Sequence, residues 1–170
     1  TVKNCLKTID NVYKYVIKQY DGIKVSFMGK SLGSLYLYAY LQQKSPLVYK
    51  VIFQCLPLNN KVKMTHDFFN NPKNTEKYFC VSYGRKMPKQ LLDDLDELER
   101  HLSDITCIGK KNILFIHGTA DNVASLDDVK QLCNKFNFNL YEIPGADHNF
   151  KHNSSRTKLE DMISSFFKVA

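Results

Sequence analysis

The chain has 170 residues, of which 44% are hydrophobic and 24% charged, with a formal net charge of +7 at pH 7. That balance is globular, and a chain of this size can bury about 70% of the surface its unfolded form exposes. No apolar run approaches the roughly 18 residues that a membrane-spanning helix needs, and the lysines are spread along the chain rather than gathered in a stripe interleaved with aromatics, so neither a membrane span nor nucleic acid is expected.

Leu6, Ile9, Tyr13, Val16, Ile17 and Tyr20 recur at spacings of three and four, which predicts an amphipathic helix ending at Asp21-Gly22. Ile23 to Met28 is a short apolar run before a glycine and reads as a buried strand. From Leu32 to Leu41 the sequence is apolar almost all round, so a second helix should be enclosed by its neighbours, with Ser45-Pro46 as its stop. Val48 to Cys55 is the next strand, punctuated by Pro57 and Asn59-Asn60.

The pattern then loosens. Residues 59 to 87 read as an irregular excursion, after which Pro88 fits a first helical position and Leu91, Leu95, Leu98 and Leu102 form one apolar stripe. Asn112 to Ile116 predicts a strand. Ser125 with Asp128 resembles a capping box ahead of a helix carrying Leu126, Val129, Leu132, Cys133 and Phe136. Leu140 to Ile143, closed by Pro144-Gly145, is another strand, and Leu159, Met162, Ile163, Phe166 and Phe167 mark a last helix. Helices alternating with short buried strands predict an α/β fold, a parallel sheet with helices on both faces.

The five cysteines, Cys5, Cys55, Cys80, Cys107 and Cys133, are scattered with no C-x-x-C pair, which suggests neither a zinc site nor a redox motif and makes a reduced, cytoplasmic setting the default. The sequence opens at Thr1 without Met and without a charged and then apolar leader. It therefore reads as lacking a signal peptide and as a fragment or processed product.

The stretch FMGKSLGS, Phe27 to Ser34, admits two chemistries. A phosphate loop requires G-x-x-x-x-G-K-[ST], so that successive backbone amides wrap the phosphates. The position that should hold its first glycine is Lys24, and strand is predicted where that loop should be. The alternative, G-x-S-x-G over Gly29 to Gly33, requires a strand, a strained turn and an immediate helix, so that the serine hydroxyl stands clear of the sheet. Here that order is met. The flanking glycines are expected because the turn leaves no room for larger side chains.

A lone G-x-S-x-G is common, so its partners matter. ILFIHGTADNV places Asp121 in a turn after a strand, and LYEIPGADHNF places His148 in the loop after the next. Ser31, Asp121 and His148 would then all emerge at the carboxyl ends of parallel strands, where open α/β sheets carry their sites. Asp127 is a rival acid that reads better as a helix start, and His152 a rival base within a polar stretch. His117 reads as a structural hydrogen-bonding group, and His66 and His101 as exposed.

With these motifs, HGTAD after one strand, PGADHNF after the next and an insertion between Cys55 and Asn112, the chain resembles the α/β-hydrolase superfamily, in its cinnamoyl- and feruloyl-esterase-like or serine-aminopeptidase-like branch. The resemblance spans residues 1–170 as a single partial domain, matching the later part of the family's fold without its first strands. It implies hydrolysis of a carboxylic ester, or less often an amide or thioester, by a Ser31-His148-Asp121 triad, with a small-molecule ester as partner and no metal or organic cofactor.

The Leu32 amide would be one oxyanion donor. The loop that commonly supplies the second, an H-G stretch, is not found before Ser31. A catalytically impaired binding or assembly protein of the same fold is therefore the alternative expectation. Residues 59–106 are expected as a helical cap-like insertion, with Phe68, Phe69, Tyr78, Phe79 and Tyr83 either lining a substrate pocket or gluing the insertion to the sheet. Without an outer neighbour the strand before Ser31 should be an exposed apolar edge, and the chain should self-associate through it.

Overall fold

Four parallel strands in chain order form the central sheet of the computed structural model, which describes residues 1–59, 75, 77–80 and 86–168. They are β1 (Phe27–Lys30), β2 (Val51–Gln54), β5 (Ile113–Gly118) and β6 (Asn139–Ile143), ordered β1-β2-β5-β6. Their register pairs Phe27 with Val51, Val51 with Ile113 and Leu114 with Asn139. A smaller antiparallel pair joins β3 (Tyr78–Cys80) to β4 (Lys86–Pro88).

Alternation along the strands sorts the core into two layers. Val51, Phe53, Ile113 and Phe115 face helices α1 (Val2–Gln19), α2 (Leu32–Lys44), α3 (Gln90–Arg100) and α4 (Leu126–Phe136), whereas Ile52, Leu114 and Ile116 face α5 (Asn153–Lys168) through Leu159, Met162, Ile163 and Phe166. Both faces of the sheet are thus covered, as the continuous apolar strands require.

The first layer is notably aromatic. Phe53 and Phe115 lie with ring centroids 4.7 Å apart, Tyr38 lies 5.4 Å from Phe53, and Phe138 stacks on Phe115 at 5.3 Å. Each fully buried ring of this kind stabilises the fold by about 1.5 to 3 kcal/mol through area alone. The Tyr38 hydroxyl keeps a partner by donating to the Ser103 carbonyl at 2.8 Å, so the polar tip costs little.

Local signals fix the element ends. Thr1 accepts from the Asn4 amide to start α1, and Gly22 turns the chain after it at φ 68°. Ser45 ends α2 in the left-handed region ahead of Pro46, with its amide bonded to the Leu41 carbonyl. The Ser125 hydroxyl accepts the Asp128 amide at 3.3 Å, which realises the capping signal of α4, and Asn137 closes that helix at φ 55°.

Four sequence expectations differ from the structure. The first strand starts at Phe27 rather than Ile23 and is not buried, because it is the sheet's outer strand: Ile23 is 47% and Met28 45% exposed. The apolar stripe of α1 is likewise only partly covered. Tyr13 is buried, but Ile17 and, just past the helix, Tyr20 remain exposed.

Pro88 is not a first helical residue. It ends β4, where its missing N–H costs no ladder bond within a two-stranded pair, and α3 begins at Gln90. Within the stretch read as an excursion, β3 and β4 pair antiparallel, a contact that apolar periodicity did not announce. Helix α3 itself packs Leu95 and Leu98 into the main core beside α1. Phe68, Phe69 and Tyr83, and with them His66, lie outside the described residues.

Candidate active site

Ser31 is the single residue between β1 and α2, at φ 52° and ψ −131°. Such a backbone costs of order 1 to 3 kcal/mol in a non-glycine residue and persists only where surroundings enforce it. Two contacts do so. The Ser31 amide donates to the Gln54 carbonyl at 2.9 Å, continuing the β1–β2 ladder, and the Ser31 carbonyl accepts the Ser34 amide at 2.8 Å as α2 begins. The Ser34 hydroxyl donates to the same Gln54 carbonyl at 2.9 Å.

The two flanking glycines are not equivalent. A Cβ on Gly29 would stand 2.7 Å from the Ser34 Cα, so only glycine fits there, but a Cβ on Gly33 would meet nothing within 4 Å. The crowding expected from the motif holds on the strand side of Ser31 and not on the helix side, because the Gly33 position opens onto a groove. That groove, about 580 Å³, runs between α1 and the outer edge of β1 past Ile9, Val12, Phe27 and Tyr36.

Asp121 sits in the turn after β5. Its Oδ1 accepts the amides of Val123 at 2.8 Å and Ala124 at 2.9 Å, an Asx turn that orients the carboxylate. His148 sits in the loop after β6, and the two loops are laced together. Ala120 donates to the Ala146 carbonyl at 3.0 Å, Gly145 donates to Thr119 Oγ1 at 2.8 Å, and a Cβ on Gly118 would clash at 2.3 Å with the Ala146 oxygen. Phe150, 2% exposed at φ 53°, anchors the far side of the histidine loop. Asp147 Oδ1 ties the loop's return by accepting the Asn149 and Lys151 amides.

These elements bring Ser31, His148 and Asp121 into one hydrogen-bonded series. His148 Nε2 is 3.0 Å from Ser31 Oγ, and His148 Nδ1 is 2.8 Å from Asp121 Oδ2. Burial opposes a charge on Asp121. The Ala124 amide, His148 and the Val123 amide outweigh it and hold the carboxyl below the ordinary range. With an anionic carboxylate at Nδ1, the ring carries its proton there and presents an acceptor at Nε2 to the Ser31 hydroxyl.

The rival residues stand elsewhere. Asp127 is in the first turn of α4, and His152 is exposed just ahead of α5. His101, also exposed, contacts the Glu97 carbonyl. His117 is fully buried beneath Asp121, with Nε2 3.2 Å from the Ala124 carbonyl and 3.4 Å from Asp121 Oδ2.

Four residues around Ser31, His148 and Asp121 were not legible in the sequence: Gln54, Lys30, Asn149 and Cys55. Gln54 supplies only its backbone oxygen. Lys30 Nζ donates to Asn149 Oδ1 at 3.2 Å, which joins the residue before Ser31 to the residue after His148. Cys55, at φ 48° and fully buried, directs its thiol to Asp121, and burial followed by that carboxylate pushes the thiol up to about 12. A cysteine directly after a strand carries no pattern that would announce such a role.

Among solved structures, the chain is similar to Est1E from Butyrivibrio proteoclasticus, at TM-score 0.68 and 17% identity over 99% of this chain and 72% of that one. It is similar to the esterase domain of a Rhodothermus marinus protein, at TM-score 0.70 and 17% identity over 95% and 67%. A Paleococcus ferrophilus monoacylglycerol lipase matches at TM-score 0.63 and 13% identity over 98% and 75%. No protein-family model and no curated protein sequence matches the chain. The structural matches establish its architecture: the chain has part of the α/β-hydrolase fold.

Proposed function

We propose that the chain is a serine hydrolase acting on a carboxylic ester, with amides and thioesters as less common substrates, through Ser31, His148 and Asp121. The observation that supports this best is the series of contacts of 3.0 Å and 2.8 Å from Ser31 Oγ through His148 to Asp121, at the carboxyl ends of parallel strands. The esterases and the lipase that share the fold favour the ester class.

In this reading, Ser31 Oγ attacks the ester carbonyl carbon as His148 Nε2 takes its proton, leaving a tetrahedral oxyanion. The C–O bond to the leaving alcohol then breaks, and the same proton passes from Nε2 to that alcohol. Water enters, is deprotonated by His148 in its turn, and releases the acid from the acyl-enzyme. Asp121 keeps the proton on Nδ1 and stabilises the transient imidazolium. The Leu32 amide, first in α2 and without an intrahelical partner, points its dipole toward the developing charge.

A second oxyanion donor commonly follows an H-G stretch, and none precedes Ser31. A missing donor of this kind costs about 3 to 4 kcal/mol, so slow turnover is the expected behaviour of the chain as it stands. Phe68, Phe69 and Tyr83, outside the described residues, are proposed from the sequence alone as substrate-binding side chains. We also propose that the outer edge of β1, with exposed Met28 and the neighbouring Val12, mediates self-association.

Reaction with a fluorophosphonate probe tests the assignment. Labelling of the wild-type chain that disappears in Ser31→Ala is expected. Labelling that persists in the variant would overturn the role of Ser31, and no labelling of either protein would favour an impaired, binding-type member of the fold.

A further inference from the structure

Beneath the His148–Asp121 contact, two polar side chains that the proposed proton transfers do not use, Cys55 and His117, converge on Asp121. Cys55 follows the last residue of β2, His117 is in β5, and Asp121 is in the turn after β5. The side chains of His117 and Asp121 are fully buried, and so is Cys55. One ligand atom from each of the three lies within 4.8 Å of the others, and among the described residues no other three His, Cys, Asp or Glu side chains converge in this way.

The donor set narrows the ion. A thiolate, an imidazole and a carboxylate suit a borderline-soft cation, whereas calcium and magnesium call for a shell of oxygens. Zinc takes such ligands at about 2.0 to 2.3 Å in a tetrahedron, which places neighbouring ligand atoms about 3.3 to 3.8 Å apart. His117 Nε2 and Asp121 Oδ2 already stand 3.4 Å apart. Cys55 and His117 directly follow the paired residues Gln54 and Ile116 of two adjacent strands, and Asp121 is held in the turn after β5 by the Val123 and Ala124 amides.

We propose that Cys55, His117 and Asp121 form an inhibitory binding site for Zn²⁺. On binding, the Cys55 thiol loses its proton to solvent and its sulfur bonds the ion. His117 ligates through Nε2, with its N–H proton transferred to Nδ1. Asp121 ligates through Oδ2, which leaves one position for water. One proton is released per ion. Oδ2 is also the oxygen that His148 Nδ1 contacts at 2.8 Å, so the ion competes directly for the charge that orients the histidine. The inhibitory consequence rests on the proposed triad; the binding does not.

Cobalt in place of zinc gives a spectroscopic test that needs no activity. Titration of the reduced full chain with Co²⁺ should produce a thiolate-to-metal charge-transfer band and the intense visible bands of a tetrahedral ion, saturating at one equivalent and abolished by Zn²⁺. Both should vanish in Cys55→Ser, which preserves the side chain's size, and persist when Cys5, Cys107 and Cys133 are replaced by serine. No charge-transfer band, or one that survives in Cys55→Ser, would overturn the site.

Fluorophosphonate labelling with and without Zn²⁺ tests the inhibition separately. The labelling rate should fall at least on the order of tenfold and recover with a chelator, because depriving the imidazole of its acid costs up to about 10⁴-fold. A bound ion with an unchanged labelling rate would remove the inhibitory role. A chain that never labels would count against the hydrolase reading and leave the cobalt spectrum to decide the site.

Discussion

Gly29 and Ser34 approach so closely that a Cβ on Gly29 would lie 2.7 Å from the Ser34 Cα, so β1 and the first turn of α2 meet backbone to backbone. Gly29→Ala must drive strand and helix apart, and a loss of about 1 to 3 kcal/mol is expected from such overpacking. Gly33→Ala meets no neighbour and should stabilise the helix by up to about 1 kcal/mol. Urea midpoints together with probe labelling check the pair. A harmless Gly29→Ala would mean that the turn around Ser31 is far more pliant than its backbone angles imply.

Asp121→Asn separates the proposed orienting role of Asp121 from its structural one. Asparagine retains an oxygen for the Val123 and Ala124 amides, so the turn should survive. It presents an N–H donor to His148, which favours the wrong tautomer. The expected result is a fall in kcat on the order of 10³- to 10⁴-fold with little change in KM. Asp127→Asn, on the first turn of α4, should leave both constants near wild type. Equal losses in the two variants would undo the choice of acid.

Stability should decline in alkali. Burial pushes the Cys133 thiol up to about 12 and raises the Tyr38 hydroxyl. Below about 8.5, the ordinary thiol value, Cys133 is protonated in both folded and unfolded chains, and its contribution is fully present. Above that, the unfolded chain releases a proton that the folded chain keeps, and stability is lost as pH rises toward the folded value. The slope for one such group is about 1.4 kcal/mol per pH unit. Denaturant unfolding across this range should show it, and Cys133→Ala should flatten it by that amount. A wild-type chain equally stable throughout would contradict the burial assigned to these groups.

The edge of β1 makes a prediction about association. Met28 and Val12 are 45% and 57% exposed beside the groove, and charges on an edge strand discourage pairing. Sedimentation velocity should show concentration-dependent self-association of the wild-type chain, reduced in the double variant Met28→Lys, Val12→Lys. A wild-type chain that stays monomeric at the highest attainable concentration would refute the role of this edge.

Much of the architecture could be read from the order of residues, because the signals were local. Apolar runs between turn residues marked β2, β5 and β6, and Ser125 with Asp128 marked the start of α4. The position of Ser31 between a strand and a helix followed from one short stretch. What escaped was long-range. The apolar run Ile23 to Met28 alone reads as a buried strand, and only the lack of a predicted outer neighbour marked it as the exposed edge that β1 is. The β3–β4 pairing depends on a contact across residues with no alternating pattern, and Pro88 looks the same at a strand end as at a helix start. The convergence of Cys55 and His117 on Asp121 is created by sheet register alone, between residues that share no spacing motif.

Because β1, β2, β5 and β6 lie side by side in the order in which they are synthesised, each can dock on its predecessor as it emerges. Ser31 is made before β2, and His148, the proposed base, arrives only with the loop after β6. Under the proposed mechanism, a nascent or C-terminally clipped molecule would display its alcohol while having nothing to deprotonate it, and latency would end only once the loop after β6 had been laced onto the turn beside it.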